Sequence, residues 1–320
     1  MTWLRREYLL LVAVTFLWGS GHTAGKIALR ELDSGELALL RPAAAWLVLA
    51  ILVVASGRAG QAAAELRRSP RLLVVLGLLG YAGAGGSTVL ALSLLPAGIT
   101  SLLTSTSPLM LVLGQVVVLR RGVQPFQALG ALVGLVGVVI LSSGGLATVG
   151  PLQATSLLGV PLALTSAVCW AGYTALVGRL GRRDALVTTA LTSGIGTAAV
   201  GLVAIPTHNW TGLVEASPRT WLATLWAGGM AIGCAYVVWS LVLRRLPPAT
   251  ALPFNYLTPL FSLSLAALVL GEAITLPVAL GAACVLAGVA LSQVPDLRRL
   301  LRARAAPSAA PESATSSRPA

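Results

Sequence analysis

Ten apolar stretches, each of about 20 residues, leave this chain few ways to fold. A stretch of that length spans the ~30 Å hydrocarbon core of a bilayer at about 1.5 Å per helical residue, and lipid offers its backbone no hydrogen-bond partner, so each must close its own amides and carbonyls as a helix. The stretches run 8–28, 37–56, 72–94, 98–118, 126–144, 157–177, 185–206, 220–242, 249–270 and 277–294. A soluble chain of 320 residues would alternate apolar and polar faces along its helices, whereas here 56% of residues are hydrophobic and only 10% are charged. The expected fold class is an all-α membrane protein of ten transmembrane helices.

Basic residues are sorted by alternate gap. Eighteen fall on one side of the stretches, from Arg5 and Arg6 through Arg58, Arg120, Arg183 and Arg245 to Arg318, against four (Lys26, Arg30, Arg41, Arg219) on the other. The acidic residues divide evenly, so the arginines set the orientation, and both termini are expected in the cytoplasm of a cell whose cytoplasmic (inner) membrane holds the chain. The same bias accounts for the formal charge of +12. Short basic loops at one interface meet anionic lipid headgroups, and nucleic acid is not an expected partner. Arg5 and Arg6 before an apolar run resemble the start of a signal peptide, yet no A-x-A pattern follows, and an uncleaved first helix is expected. Cys169, Cys234 and Cys284 fall inside the stretches with no disulfide framework or metal spacing, so no cofactor and no metal are expected. Residues 295–320, rich in Ala, Pro, Ser and Arg, read as a disordered cytoplasmic tail whose start, 297–302, has the pattern of a short basic surface helix.

A shift of 151 or 152 residues lays one half of the chain on the other. Leu129-Gly130-Ala131 falls on Leu280-Gly281-Ala282, Gly137 on Gly288, Pro108 on Pro259, Gly77 on Gly228, and Trp18 on Trp170 with one extra residue. A near-constant offset that holds Pro, Gly and Trp together marks an internal repeat. Each half carries five stretches. Five is odd, so the second copy enters the membrane from the opposite side, an inverted repeat of the kind on which secondary transporters are built. The expected organisation is a first repeat over 1–144, a linker over 145–156, a second repeat over 157–294 and the tail.

Phe16-Leu17-Trp18-Gly19-Ser20, Leu40-Arg41, Cys169-Trp170-Ala171, Ala235-Tyr236 to Leu246-Pro247, and Tyr256-Leu257-Thr258-Pro259 running to Leu270-Gly271-Glu272 stand in an order that resembles EamA-type members of the drug/metabolite transporter superfamily. The resemblance covers about residues 8 to 294. It implies a ten-helix carrier with a central cavity between stretches 1, 3, 4, 6, 8 and 9, and small metabolites as substrates, often amino acids or related compounds moved outward. One departure stands out: the family often closes stretch 4 with Leu-Gly-Glu as well as stretch 9, and here stretch 4 ends in Leu119-Arg120-Arg121.

The residues that would carry transport are few. Trp18, His22 and Lys26 recur every fourth position and share one stripe of the first helix. Lys26 reads either as a substrate contact or as an interfacial anchor in a structural ion pair, because near the membrane edge it snorkels at small cost. Arg41 reads as an anchor or as a partner of Glu36. His22 alone among the embedded side chains has an ordinary pKa near neutrality, which admits a proton as a coupled partner; the other reading is a hydrogen-bonding pocket residue. Pro108 and Pro259 occupy matching positions, each removing a backbone hydrogen bond, and are candidate hinges or packing kinks. Around them Ser105, Asn255 and Thr258 offer polar groups to a solute or to the broken backbone. Tyr81, Trp170, Tyr173 and Tyr236 interrupt small-residue helices and would form aromatic walls of a pocket for an amphipathic solute.

These features point to a secondary carrier working by alternating access, as an exporter or else as an importer, facilitator or exchanger without proton coupling. An enzyme would need converging acid, base or metal ligands, and a channel would ordinarily need repeated subunits or charged rings.

Overall fold

The structure is a computed structural model that describes residues 2–107, 109, 110, 113, 114, 125–140, 154–177, 180, 183–208, 210–246, 251, 254, 255 and 257–305. Among these residues every regular element is helical. In chain order they are α1 (Thr2–Ala28), α2 (Ser34–Ala55), α3 (Ala59–Arg68), α4 (Pro70–Leu94), α5 (Ala97–Thr104), α6 (Pro125–Ile140), α7 (Ala154–Val177), α8 (Ala185–Thr207), α9 (Gly212–Glu215), α10 (Pro218–Leu243), α11 (Leu257–Leu270) and α12 (Leu276–Ala305). Five segments, in α2, α4, α7, α8 and α10, are by themselves long and apolar enough to cross a membrane, and α11 and residues 276–288 of α12 are shorter apolar helices. Leu47, Ile51, Leu202, Val203 and Leu268 stand exposed on the outside, where a water-soluble protein of this size would carry charge.

Local chemistry sets the helix ends. Asp33 caps α2 by accepting from Gly35 N at 2.6 Å and Glu36 N at 2.8 Å, while Glu36 Oε2 accepts from Asp33 N at 2.9 Å, a reciprocal capping box. Asp184 caps α8 through Val187 N at 3.1 Å, and Ser217 followed by Pro218 opens α10. Gly271, at φ 72°, stops α11 in the left-handed region that a side chain resists. Within α4, α10 and α11 the hydrogen-bond register widens to π-helix over Leu78–Gly86, Trp226–Cys234 and Ala266–Leu270.

Glycines let the two copies meet at backbone distance. A Cβ on Gly77 in α4 would stand 2.8 Å from Thr192 O and 2.9 Å from Ile195 Cγ2 in α8. A Cβ on Gly228 in α10 would strike Arg41 O and come within 2.8 Å of Ala44 Cβ in α2. Under the 151-residue shift Gly228 is the mate of Gly77, Thr192 of Arg41 and Ile195 of Ala44, so both contacts are the same contact made twice. The last helices of each half, α6 and α12, pair directly. A Cβ on Gly137 would sit 2.6 Å from Val285 N, and one on Gly288 would strike Gly134 N. Because 134 meets 288 and 137 meets 285, these helices cross antiparallel.

Two segments differ from expectation. Residues between the second and third stretches form α3, which Glu65 ties to Arg183 at 2.6 Å beside the Arg58–Asp184 pair at 3.0 Å. The expected tail is also corrected in part. The helix α12 continues to Ala305, since the Leu, Arg and Ala that dominate 297–305 are strong helix formers that extend a helix already nucleated.

Candidate functional site

A cavity of about 100 Å³ lies between α1, α2, α4, α7, α10 and the α11 approach, lined in part by Trp18, His22, Arg41, Gly85, Thr88, Ser105, Ser166, Trp170, Ile232, Tyr236, Asn255 and Thr258. Several of its walls carry unused hydrogen-bonding capacity. Trp18 Nε1, His22 Nε2, Asn255 Oδ1 and Thr258 Oγ1 are buried and without a hydrogen-bond partner among the described residues. Buried polar atoms are ordinarily paired, so these four are free to meet a polar group brought into the cavity. His22 Nδ1 lies 2.9 Å from Trp18 O. A carbonyl only accepts, so Nδ1 carries the proton, and in the neutral ring Nε2 is left as a bare acceptor. Thr88 and Ser166 by contrast lie 2.7 Å apart with Ala84 O within 2.9 Å of both hydroxyls, so their two protons are used among these three oxygens.

One wall is aromatic. Trp18 meets Trp170 edge-on at 5.5 Å and Trp239 at 5.2 Å, and Trp170 stacks on Tyr173 at 5.2 Å and meets Tyr236 at 4.8 Å. Tyr81 closes the group against Tyr236 at 5.3 Å and Tyr173 at 6.3 Å. Behind this layer lies a larger cleft of about 750 Å³, lined by Tyr173, Arg183, Thr188, Ser240 and Arg244 on the arginine-rich side. Tyr173 borders the cleft, while Trp170 and Tyr236 border the cavity, so a layer of rings separates the two.

Arg41 is the one charged side chain recorded on the cavity wall. It is 6% exposed; its Nε donates to Ala227 O at 3.1 Å, and no carboxylate among the described residues pairs with it. An unpaired charge held at membrane depth costs at least about 2.5–3.5 kcal/mol. Arg stays protonated under any ordinary condition, so the cation is permanent.

The EamA-like transporter family model matches residues 5–143 and again 157–293, most of the chain in two copies. The chain belongs to this family. The EamA-like transporter is 28% identical over 292 residues to a protein of Archaeoglobus fulgidus described as an uncharacterized transporter, with 90% of this chain and 97% of that one covered. It is 25% identical over 287 residues to the uncharacterized transporter YvbV of Bacillus subtilis, covering 89% and 91% of the two chains. A crystal structure 21% identical superposes with a TM-score of 0.64 over 95% of this chain and 99% of that one, a likeness of fold. The EamA-like transporter is thus a multi-pass membrane protein that lives in lipid and moves a small molecule.

Within the EamA-like transporter, the cavity brings together Trp18, His22, Ser105, Trp170, Tyr236, Asn255 and Thr258 from the sequence candidates. Tyr81 and Tyr173 stand one ring behind the wall. Lys26 is elsewhere: its Nζ donates to Leu92 O at 2.7 Å and Leu95 O at 2.9 Å, at the C-terminal end of α4. There a cation meets the negative end of a helix. Glu272, from Leu-Gly-Glu at the end of α11, takes the complementary position, accepting from Ala97 N at 2.8 Å and Gly98 N at 3.2 Å at the start of α5. Pro259 is buried in the first turn of α11, where its missing N–H costs the helix little. Pro108 lies outside the described residues.

Arg41 was readable, and the signal was the cap. Asp33-Ser34-Gly35-Glu36 starts α2 at Ser34, which carries Arg41 two turns into the helix instead of one. Glu36 does not pair with it: its oxygens accept from Asp33 N at 2.9 Å and Leu213 N at 3.2 Å.

Proposed function

We propose that this transporter is a secondary carrier of ten transmembrane helices, built as two inverted five-helix repeats, that moves a small amphipathic metabolite across the cytoplasmic membrane by alternating access with both termini in the cytoplasm. The observation that carries this reading is the cavity between the two copies with four unpaired polar atoms on its walls. A solute that supplied those partners would be held while bound and would leave the site intact on release. The antiparallel crossing of α6 and α12 and the doubled glycine contacts support the inversion. The layer of rings supplies a barrier on the arginine-rich side, so alternating access requires Trp170, Tyr173 and Tyr236 to part as the other side closes. The family resemblance favours export of amino acids or related compounds.

A second reading concerns energy coupling. Embedded carboxylates are the usual proton relays, and none of the residues recorded on the cavity wall is Asp or Glu. That favours facilitated movement or exchange over proton coupling, with His22 the remaining proton candidate. The test is uptake of a pooled metabolite library into proteoliposomes, with and without a pH gradient and with internal solute preloaded. Saturable uptake accelerated by preloading is expected; non-saturating flux with single-channel current would replace the carrier with a pore. Dependence on the gradient that vanishes in His22→Asn would assign the proton to His22.

A further inference from the structure

We infer that Arg41 is the anion-binding group of the cavity and that the solute it receives is an organic monocarboxylate. This rests on the carrier reading for its transport role, though the site itself stands on geometry.

The first argument is an account of negative charge. Among the described carboxylates Glu7 holds Arg245 at 2.7 Å, Glu65 holds Arg183 at 2.6 Å, and Asp184 holds Arg58 at 3.0 Å. Asp33 and Glu36 are spent on the start of α2, Glu31 on Ser217 and Glu272 on α5. Glu215 is exposed at the end of α9. Among the described residues the Arg41 guanidinium therefore has a buried position, a cavity in front of it and no carboxylate paired with it. A group that is permanently charged and nearly sealed from water binds best when the missing charge arrives with a ligand, and the planar fork of Arg fits a carboxylate through two parallel N–H donors.

The second argument is that the pocket around the guanidinium comes from the difference between the two repeats. The mates of Tyr173 and Tyr236 in the first copy are Gly21 and Gly85, and the mate of Trp239 is Thr88. A Cβ on Gly80 would stand 2.6 Å from Tyr173 Cδ2, and one on Gly21 would stand 2.6 Å from Ala231 Cβ, so the two pairs are equivalent positions. At the Gly85 position the first copy leaves open the space that Tyr236 fills in the second, and Arg41 Nη2 stands 3.5 Å from the Gly21 position, which is packed against Ala231. The residue equivalent to Arg41 is Thr192, whose hydroxyl is satisfied within its own helix by Thr188 O at 2.9 Å. Charge and space are thus found together in one copy and are both missing from the other.

The third argument narrows the anion. Trp18 Nε1 is an unpaired donor and His22 Nε2 and Asn255 Oδ1 are unpaired acceptors on the same cavity, where Arg41 is the one cation among the lining residues, so the site balances one negative charge and not the two of a phosphate dianion. A single negative charge on an apolar body that packs against Trp18 and Trp170 matches this lining.

The experiment is ligand-induced stabilisation of the detergent-solubilised full chain, followed by proteoliposome competition. Benzoate, its neutral isostere benzamide, and inorganic phosphate are the probes. Benzoate is expected to raise the melting temperature in a saturable manner while benzamide and phosphate do not. Arg41→Met is expected to weaken benzoate at least about thirtyfold, with Arg41→Lys intermediate. Lys26→Met should retain benzoate binding. Equal shifts with benzoate and benzamide, a shift with phosphate alone, or no shift with any probe would overturn the inference in the unaltered protein, so a variant that folds poorly does not decide it. The two readings separate cleanly. Benzoate binding without counterflow of any solute would sink the carrier and leave the anion site; counterflow of a neutral solute indifferent to benzoate would do the reverse.

Discussion

A Cβ placed on Gly85 meets nothing nearer than Gly80 O at 3.8 Å, so a larger side chain there grows into the cavity without disturbing the helix. Gly85→Ala should stabilise the protein by about 0.4–1 kcal/mol, because it removes backbone freedom from the unfolded chain. Gly85→Tyr reinstates the residue that Tyr236 provides in the other copy. It should abolish saturable uptake while the melting temperature holds or rises, measured on the same preparation. Uptake at the normal rate in Gly85→Tyr would place the solute's path away from this cavity. At this scale the sequence is partly readable: aromatic and polar lining residues such as Trp18, His22 and Asn255 stand out by type. Gly85, Thr88 and Ser166 do not, because their contribution is volume, or a hydrogen bond to a helix 78 residues away. Lys26 misleads for the opposite reason: a lone lysine on a functional stripe is spent on the carbonyls of Leu92 and Leu95.

Helix ends on the side away from the arginines are tied by acidic side chains to backbone amides. Glu31 accepts from Ser217 N at 2.6 Å and Ser217 Oγ at 2.9 Å, joining the turn after α1 to the start of α10. The Ser217 amide is the chief reason that its carboxyl titrates below the ordinary glutamate value, with Thr220, the Ser217 hydroxyl and Arg219 helping. A carboxyl whose pKa is depressed by folding adds stability above its unfolded pKa, and that stability fades as pH falls through the folded one. Glu31→Gln should therefore melt below the unaltered protein at pH 7, with the gap closing only as pH drops beneath about 4. A gap that stays constant to pH 3.5 would assign the loss to something other than the charge. The cap written at Asp33 to Glu36 starts α2 three residues before the apolar stretch at 37, so hydropathy alone misplaces the boundary, and no sequence signal marks an end whose partner is distant. Leu-Gly-Glu in α11 is visible as a motif, but that its glutamate serves α5 is a fact of packing.

For the molecule as a whole, the offset of 151 residues foretold two copies, and the family match over 5–143 and 157–293 bears that out. The inversion makes a prediction of its own. Reporter tags at residues 1 and 320 should both be protected from external protease in intact cells; exposure of either one breaks the scheme of two opposed five-helix halves. Among the described residues all three ion pairs, Arg58–Asp184, Arg183–Glu65 and Arg245–Glu7, join helix ends on the arginine-rich side, whereas the opposite side relies on caps. Hydropathy exposes the helices and charge exposes their direction. Neither exposes the cavity, which depends on residues that differ between the copies, while the duplication is recognised from residues that agree.

The matched glycines fix how the halves meet, whereas Gly85 can change size without touching those contacts. A duplicated ancestor would thus carry a conserved joint and an independently mutable chamber, and a lineage could move from one cargo to another by drift in a single half while its partner kept the machinery aligned.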